Sequence, residues 1–234
     1  MSIATFDVPG LPLPVAVQRI ARARRLRLRV DHGRQLLKLT MPARGSARSA
    51  LRWASEQREW VERQLADRPQ PLVLDDGARV PFRGGELRIR WIRDERRGVS
   101  LDDAELLVGG PRESVGRSVE RWLIGQAREE LSRLTGEIAA AAGVTIRSVS
   151  VGDAVSRWGS CSTSGAIRYN WRLILAPQAV LRYVVAHEVA HRLHMDHSQA
   201  FKRAEERLFG GPTAEARLIL RELGPALRRV GRGS

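Results

Sequence analysis

The chain has few of the features that mark a secreted or membrane-bound protein. Its single cysteine, Cys161, has no partner for an internal disulfide, which agrees with a reducing compartment. No run approaches the ~20 consecutive apolar residues that a membrane span needs. The N-terminal segment MSIATFDVPGLPLP lacks a basic stretch followed by a hydrophobic one, unlike a secretory signal. We therefore expect a cytoplasmic protein.

Lysine is scarce as well, although the chain is strongly basic. Only Lys38 and Lys202 are lysines, yet Lys and Arg together number 40 against 26 Asp and Glu, giving a net charge of +14. Such a charge attracts nucleic acid, anionic membranes or acidic substrates, but a GC-rich coding sequence also produces an arginine-rich composition. The excess is concentrated between Arg19 and Arg52, where eleven basic residues accompany one acidic residue, Asp31. Nucleic acid is thus a candidate partner of this part of the chain.

Short runs in which apolar and charged residues alternate predict strands in the first half of the chain. The run from Arg25 to Val30 alternates strictly, and the pattern resumes from Leu37 to Met41 after a turn at residues 31–34, which predicts a hairpin. A helix capped by Ser46 is expected to continue to about Ala66. Further alternating runs between Val80 and Val108 predict more strands.

Helical patterns dominate the second half. Apolar residues recur at spacings of three and four from about Ser114 to Ala142, and Gly143 is well placed to end that helix. Pro177 opens a further helix, which carries histidines. The other predicted elements are two strand-like runs followed by two helices, at residues 144–151, 166–175, 198–209 and 213–230. No internal repeat is evident.

The segment His187-Glu188-Val189-Ala190-His191 has the pattern H-E-x-x-H. On a helix, residues four apart lie one turn above each other, so both imidazoles can reach one ion while the glutamate leans toward the open side of that ion. The segment lies in an apolar helical run, where these polar groups would otherwise be buried without compensation. Four of the five histidines fall between His187 and His197. The pattern predicts a zinc site, with Glu188 as the catalytic base.

A catalytic zinc ion usually takes three protein ligands and keeps one position for water. We predict His197 as the third ligand, because a helix that ends soon after His191 can turn and bring this side chain back to the metal. His194 is the competitor, but ligands on successive turns of one straight helix would be spread by ~5 Å per turn. Glu205 and Glu206 are acidic alternatives on the next predicted helix.

Three blocks of the chain resemble the YgjP-like metallopeptidases, a family related to the SprT-like and Wss1-like zinc proteases. These blocks are Arg157-Trp158-Gly159-Ser160-Cys161-Ser162, the segment from Tyr183 to His191, and His197-Ser198-Gln199-Ala200-Phe201. The arginine-rich hairpin and the helix with Trp53 and Trp60 also resemble that family, so the likeness covers most of the chain. Asp196 departs from the Asn that many members carry before the third histidine.

The resemblance implies a zincin-like fold, in which a small twisted sheet lies beside the metal-binding helix, with zinc ligands at His187, His191 and His197. Together with the patterns above it predicts an α+β protein in two parts. Residues 1–110 are expected to form a basic, strand-rich N-terminal module with one helix. Residues 111–234 are expected to form the zincin-like catalytic domain.

The predicted reaction is metal-assisted hydrolysis of a peptide bond, in which Glu188 accepts a proton from water and delivers it to the leaving amine. Arg157, Tyr169 and Tyr183 are, in that order, the candidate donors to the oxyanion. The strand at residues 166–171 is a candidate edge to which an extended peptide could add.

Two other functions stay open at this point. The basic module could bind a nucleotide or another phosphate ester for metal-dependent hydrolysis, although the sequence has no phosphate loop. Alternatively, the protein could be a DNA-associated protease that acts on DNA-bound proteins, as the resemblance to SprT-like proteases suggests. Salt-dependent DNA binding would separate this function from that of a plain peptidase.

Overall fold

Three β-sheets and six α-helices occur in the part of the chain described by a computed structural model, residues 4–31, 34–66, 71–93 and 95–232. The contacts between residues divide the chain into an N-terminal unit, Met1–Arg68, and a C-terminal unit, Pro69–Ser234. Both units mix helices and strands, as an α+β fold requires. Within the described ranges, no helix is both long enough and apolar enough to cross a membrane.

The sheet of the N-terminal unit has four strands in the order β1-β2-β4-β3. The strands are β1 (Ala4–Phe6), β2 (Val15–Ile20), β3 (Arg27–Asp31) and β4 (Leu36–Pro42). Strands β2 and β4 are parallel, and the other neighbours are antiparallel. The pairing of β3 with β4 confirms the predicted hairpin, whose turn residues 32 and 33 lie outside the described part of the chain.

Two helices, α1 (Ala47–Ser55) and α2 (Arg58–Ala66), replace the one predicted helix. Ser46 caps α1 as expected, because its side chain accepts a hydrogen bond from the backbone N–H of the third helical residue. The helix then stops because the N–H of Gln57 bonds to the carbonyl of Ala54, three residues back, which tightens the last turn. Neither glycine nor proline lies at this break, so the apolar pattern of the sequence predicted one continuous helix.

The second sheet has the strands β5 (Arg79–Phe82), β6 (Gly85–Ile92), β7 (Gly98–Asp102) and β8 (Glu105–Gly109) in the order β5-β6-β8-β7. Its apolar residues share one core with the helix α3 (Val115–Ala142). The structure therefore groups this sheet with the C-terminal unit. The predicted boundary between residues 110 and 111 falls inside that unit, between a sheet and the helix that packs on it.

The two four-stranded sheets have the same topology. In each, two hairpins lie side by side with their inner strands parallel. Leu37 in β4 and Leu106 in β8 hold matching places, because each is the first buried residue of its strand and is paired with both neighbouring strands. Beyond these two leucines, identical residues occur in pairs that have the same separation along the chain as Leu37 and Leu106. These pairs are Pro42 and Pro111, Arg48 and Arg117, Ser49 and Ser118, Arg52 and Arg121, Trp53 and Trp122, and Gln57 and Gln126. The chain therefore contains an internal repeat that was not evident from the sequence alone.

The third sheet contains β9 (Ser148–Gly152), β10 (Gly159–Cys161) and β11 (Ala166–Asn170) in the order β10-β11-β9. Strand β11 is shorter than the predicted run of residues 166–175, because the side chain of Asn170 accepts a hydrogen bond from the N–H of Arg172 and caps a 3₁₀ turn. The candidate peptide edge is corrected as well. Strand β11 is central, and β10 lies at the edge.

The remaining helices are α4 (Gln178–Ala190), α5 (Gln199–Phe209) and α6 (Ala214–Leu227). Helix α3 confirms the prediction over residues 114–142, and Gly143 ends it in the left-handed conformation with φ of 65°. Helix α4 contacts α3, α5 and α6, and most of its residues are buried. It is the central element of the C-terminal unit.

Candidate metal centre

The end of α4 and the start of α5 bring histidines together. Helix α4 carries His187 and has His191 as its C-cap. The chain then turns, and Ser198 caps α5 by accepting a hydrogen bond from the N–H of Phe201. This cap fixes the backbone next to His197, which lies just before the new helix. The interruption between the two helices is what lets a side chain after the motif return toward α4.

One ring nitrogen from each of His187, His191 and His197 lies within 4.8 Å of the other two. The Nε2 atoms of His187 and His197 are 3.4 Å apart. Two nitrogens bound tetrahedrally to zinc at about 2.0–2.1 Å would be separated by roughly 3.4 Å. The three imidazoles therefore have a donor set and a spacing that fit a zinc ion.

His194, the competing candidate ligand, contacts His191 through its backbone instead. It lies outside the cluster of ring nitrogens found in the described residues. Its backbone carbonyl oxygen is 3.3 Å from Nδ1 of His191 and can only accept, so this Nδ1 carries the proton. That leaves Nε2 of His191 as the lone-pair nitrogen. Burial, and secondarily the neighbouring His187, lower the pKa of His191, which favours the neutral imidazole that binds metal.

Glu205 on α5 contacts the Nδ1 side of the His187 ring, opposite the Nε2 atom that faces His197. Its Oε1 lies 2.7 Å from Nδ1 of His187, and the carboxyl group is almost completely buried. A carboxylate that accepts from Nδ1–H leaves Nε2 unprotonated and makes it a better ligand. Glu205 thus contacts the side of the ring away from the cluster, rather than joining the donor set as an alternative ligand. Glu206 is exposed on the same helix.

Phe201 packs against all three imidazoles. Its ring centroid lies 5.1 Å from that of His187, 4.7 Å from that of His191 and 4.8 Å from that of His197. The phenyl ring is fully buried. It gives the three rings one shared apolar support, which restricts their rotamers without offering a competing polar group.

Glu188 lies in a small cavity next to the histidines. The cavity, about 200 Å³ in volume, is lined by Trp158, Gly159, Tyr183, Val184, His187, Glu188 and Leu220. Glu188 is 4% exposed. Burial raises the pKa of Glu188 to about 7, and the neighbouring His187 and Arg157 act in the opposite direction. A carboxyl group with such a pKa can exchange a proton near neutral pH.

Gly159 lets the edge strand β10 approach Glu188 closely. A Cβ atom at this position would lie only 2.3 Å from Oε1 of Glu188 and less than 3 Å from two of its carbon atoms. Only glycine therefore leaves room for the carboxyl group where it lies. From the sequence alone, Gly159 had no assigned role within the Arg157–Ser162 block. A glycine inside a short strand was the available signal.

The three candidate oxyanion donors are placed very differently. Tyr183 lines the cavity with His187, and their rings are 6.3 Å apart in an edge-on arrangement. Arg157 is exposed and acts on Glu188 through its charge. Tyr169 is fully buried, and its hydroxyl lies 3.0 Å from Oγ1 of Thr135, so it belongs to the core.

Trp158 forms one wall of the cavity and is held from outside by α6. A Cβ on Gly224 would lie 3.3 Å from its ring, and the guanidinium group of Arg228 lies 4.1 Å from the ring centroid. Arg228 also donates to the carbonyl of Val155 at 2.7 Å. The loop between β9 and β10 is thereby attached to the end of α6, and the cavity wall is fixed.

Comparison with known proteins gives one match. The model of the YgjP-like metallopeptidase domain matches residues 24–222 of this chain. No curated protein and no solved structure matches. The matched region includes the arginine-rich hairpin, both four-stranded sheets and the whole histidine cluster.

His197→Ala should weaken zinc binding much more than His194→Ala. The first change removes one of three converging imidazoles, whereas the second leaves the backbone carbonyl that contacts His191 in place. Zinc content after dialysis, and competition with a chelator, measure the difference. Equal loss in the two variants would contradict the proposed ligand set.

Glu205→Ala should weaken zinc binding by roughly 10–100-fold, because the orientation and basicity of His187 depend on this carboxylate. Glu205→Gln should recover part of the affinity, since its amide oxygen can still accept from Nδ1–H. Glu206→Ala is the matched control on the exposed side of α5. If Glu205→Ala and Glu206→Ala bind zinc equally well, Glu205 does not orient a ligand.

Proposed function

The chain belongs to the YgjP-like metallopeptidase family, and on that basis we propose that it is a zinc-dependent peptidase. The proposed ligands are His187, His191 and His197, and the proposed general base is Glu188. Family membership makes the protein a metal-dependent peptidase in general terms. The observation that carries the finer proposal is the convergence of three imidazoles, of which His187 lines the same cavity as the buried carboxyl group of Glu188.

The donor set supports zinc over other common ions. Three neutral imidazoles suit zinc, whereas Mg²⁺ and Ca²⁺ prefer oxygen ligands. A site with three protein ligands also keeps a position for water, as catalytic zinc sites do. Zinc bound by these residues would supply Lewis-acid chemistry to a peptide carbonyl and to water.

In the proposed reaction, Glu188 is the general base and then the general acid. Its carboxylate accepts a proton from the attacking water and returns it to the nitrogen of the leaving amine. Burial of Glu188 supports this assignment, because removal of the carboxyl group from water raises its pKa toward neutral pH. Tyr183 and Arg157 are proposed to stabilise the oxyanion, the first from inside the cavity and the second through its charge.

Strand β10 supports a peptide as the substrate. It is the edge strand of its sheet, and its first residue, Gly159, lines the cavity that contains Glu188. An extended peptide that adds to such an edge forms backbone hydrogen bonds whatever its sequence. We propose that it lies along β10 with its scissile carbonyl next to the histidines. The rings of Trp158 and Tyr183 and the side chain of Leu220 would then contact one small apolar side chain of the substrate.

Glu188→Gln should abolish turnover while leaving zinc content and thermal stability nearly unchanged. Glutamine keeps the volume and most hydrogen bonds of glutamate but cannot accept the proton, and loss of a general base costs about 10²–10⁴-fold in rate. A screen of peptides and unfolded proteins with zinc-loaded protein measures kcat. His187→Ala is the contrasting variant, since it should lose zinc together with activity. Hydrolysis by Glu188→Gln at the wild-type rate would exclude Glu188 as the base.

Gly159→Ala should lower kcat strongly with little loss of zinc. The added methyl group overlaps the carboxyl group of Glu188 and must displace it, while the histidines lie on other elements. Gly136→Ala is the control, because a Cβ there meets no other atom within 4 Å. Wild-type kcat in Gly159→Ala would mean that the position of Glu188 is not critical for turnover.

A further inference from the structure

The outer face of the N-terminal sheet is lined with cationic side chains. Alternate residues of β3 and β4 point inward, where Leu28, Leu37 and Leu39 are buried in the core of this unit. The residues between them point outward, so Arg29 is paired with Lys38 across the two strands. Arg27 lies on the same outer face, and all three cationic side chains are exposed.

Few carboxylates neutralise this face. The acidic residue of β3, Asp31, forms an ion pair with Lys38 at 2.6 Å. Two further carboxylates of the N-terminal unit, Glu59 and Glu62, pair with arginines within helix α2. Among the described residues, no carboxylate lies within ion-pair distance of Arg27 or Arg29 on β3, or of Arg25, which is exposed just before that strand.

The repeated sheet of the C-terminal unit provides an internal comparison. Its outer face also carries arginines, but Arg79 pairs with Glu86 at 2.9 Å, and Arg90 pairs with Glu105 at 3.0 Å. Its edge strand β7 has Gly98 and Ser100 where β3 has Arg27 and Arg29, judged by their pairing with the equivalent residues of β8 and β4. The shared topology therefore does not require a cationic edge.

We propose that the outer face of β3 and β4 binds the phosphate backbone of nucleic acid. Arg27 and Arg29 are two residues apart on an extended strand, about 6.8 Å, so their guanidinium groups can reach neighbouring phosphates of one DNA strand. Arginine is suited to this role, because its planar guanidinium group binds phosphate oxygens in pairs. This surface is distinct from the proposed peptidase site and does not depend on zinc.

Nucleic acid fits this face better than a membrane does. Stable binding to an anionic bilayer needs apolar side chains that insert beside the basic ones. The exposed residues between the arginines and the sheet centre are polar, namely Gln18 and Lys38. Ile20, two residues after Gln18 on β2, is exposed as well, but one apolar side chain is less than an inserting surface needs, and the face offers mainly charge and hydrogen-bond donors.

The test measures binding of the full-length protein to a fluorescent DNA duplex by anisotropy, over salt concentrations from about 50 to 200 mM. The wild type should bind with an affinity that falls steeply with salt. Replacement of Arg25, Arg27 and Arg29 by glutamine should weaken binding at low salt. It should also reduce the slope of log K against log salt by roughly two to three.

Replacement of Arg79, Arg88 and Arg90 by glutamine is the matched control. It removes the same number of charges from the outer face of the repeated sheet. This variant should keep most of the wild-type affinity and salt slope. Single replacements of Arg27 and Arg29, each checked by thermal unfolding, separate a loss of contacts from a loss of fold.

Three results would overturn the proposal: no salt-dependent binding by the wild type, equal losses in the two triple variants, or binding to anionic vesicles with none to DNA. Equal losses would mean that net charge, rather than this face, attracts DNA. Because zinc binding and peptide hydrolysis are measured separately, these results leave the proposed peptidase function standing. Conversely, DNA binding in the absence of any hydrolysis would support this proposal alone.

Discussion

The burial of helix α4 is the constraint on which the site depends. Nearly every residue from Val180 to Ala190 is packed against other elements, so the helix cannot rotate without exposing core side chains. Its rotation about its own axis decides where the imidazoles and the carboxyl group of the motif point. The polar groups then need partners inside the protein, and Glu205 and the carbonyl of His194 provide them for the two imidazoles of the motif. The proposed catalytic groups thus lie on a helix that is buried along most of its length.

The sequence predicts well what depends on local spacing. The long helix α3 and the β3–β4 hairpin follow from helical and strand periodicity, and the three motif blocks identified the family correctly. What depends on contacts between distant segments could not be read in this way. The support of His187 by Glu205, the close approach of Gly159 to Glu188 and the central place of β11 are properties of packing and of strand order. The break between α1 and α2 has no glycine or proline to announce it.

The internal repeat shows how one scaffold can carry different surfaces. Both copies keep an arginine and a tryptophan side by side in the helix that follows the sheet, Arg52-Trp53 and Arg121-Trp122. Both also keep the parallel pairing of the inner strands. The copies differ on their outer faces, where one sheet neutralises its arginines with carboxylates and the other leaves them available. The identical residues include exposed ones, such as Arg52 and Arg121, whereas the carboxylates that pair with arginines differ between the two outer faces.

The position of Phe201 has a consequence for how the site binds a metal. One phenyl ring touches all three imidazoles, and its backbone N–H also holds the cap of the helix that follows His197. The packing of Phe201 therefore contributes to the arrangement of the three rings independently of any bond to an ion. Imidazoles that are held in this way need little further ordering when they bind a metal. Such side chains also select an ion by the fixed distances between their nitrogens, so that the size of the ion matters as well as its affinity for imidazole.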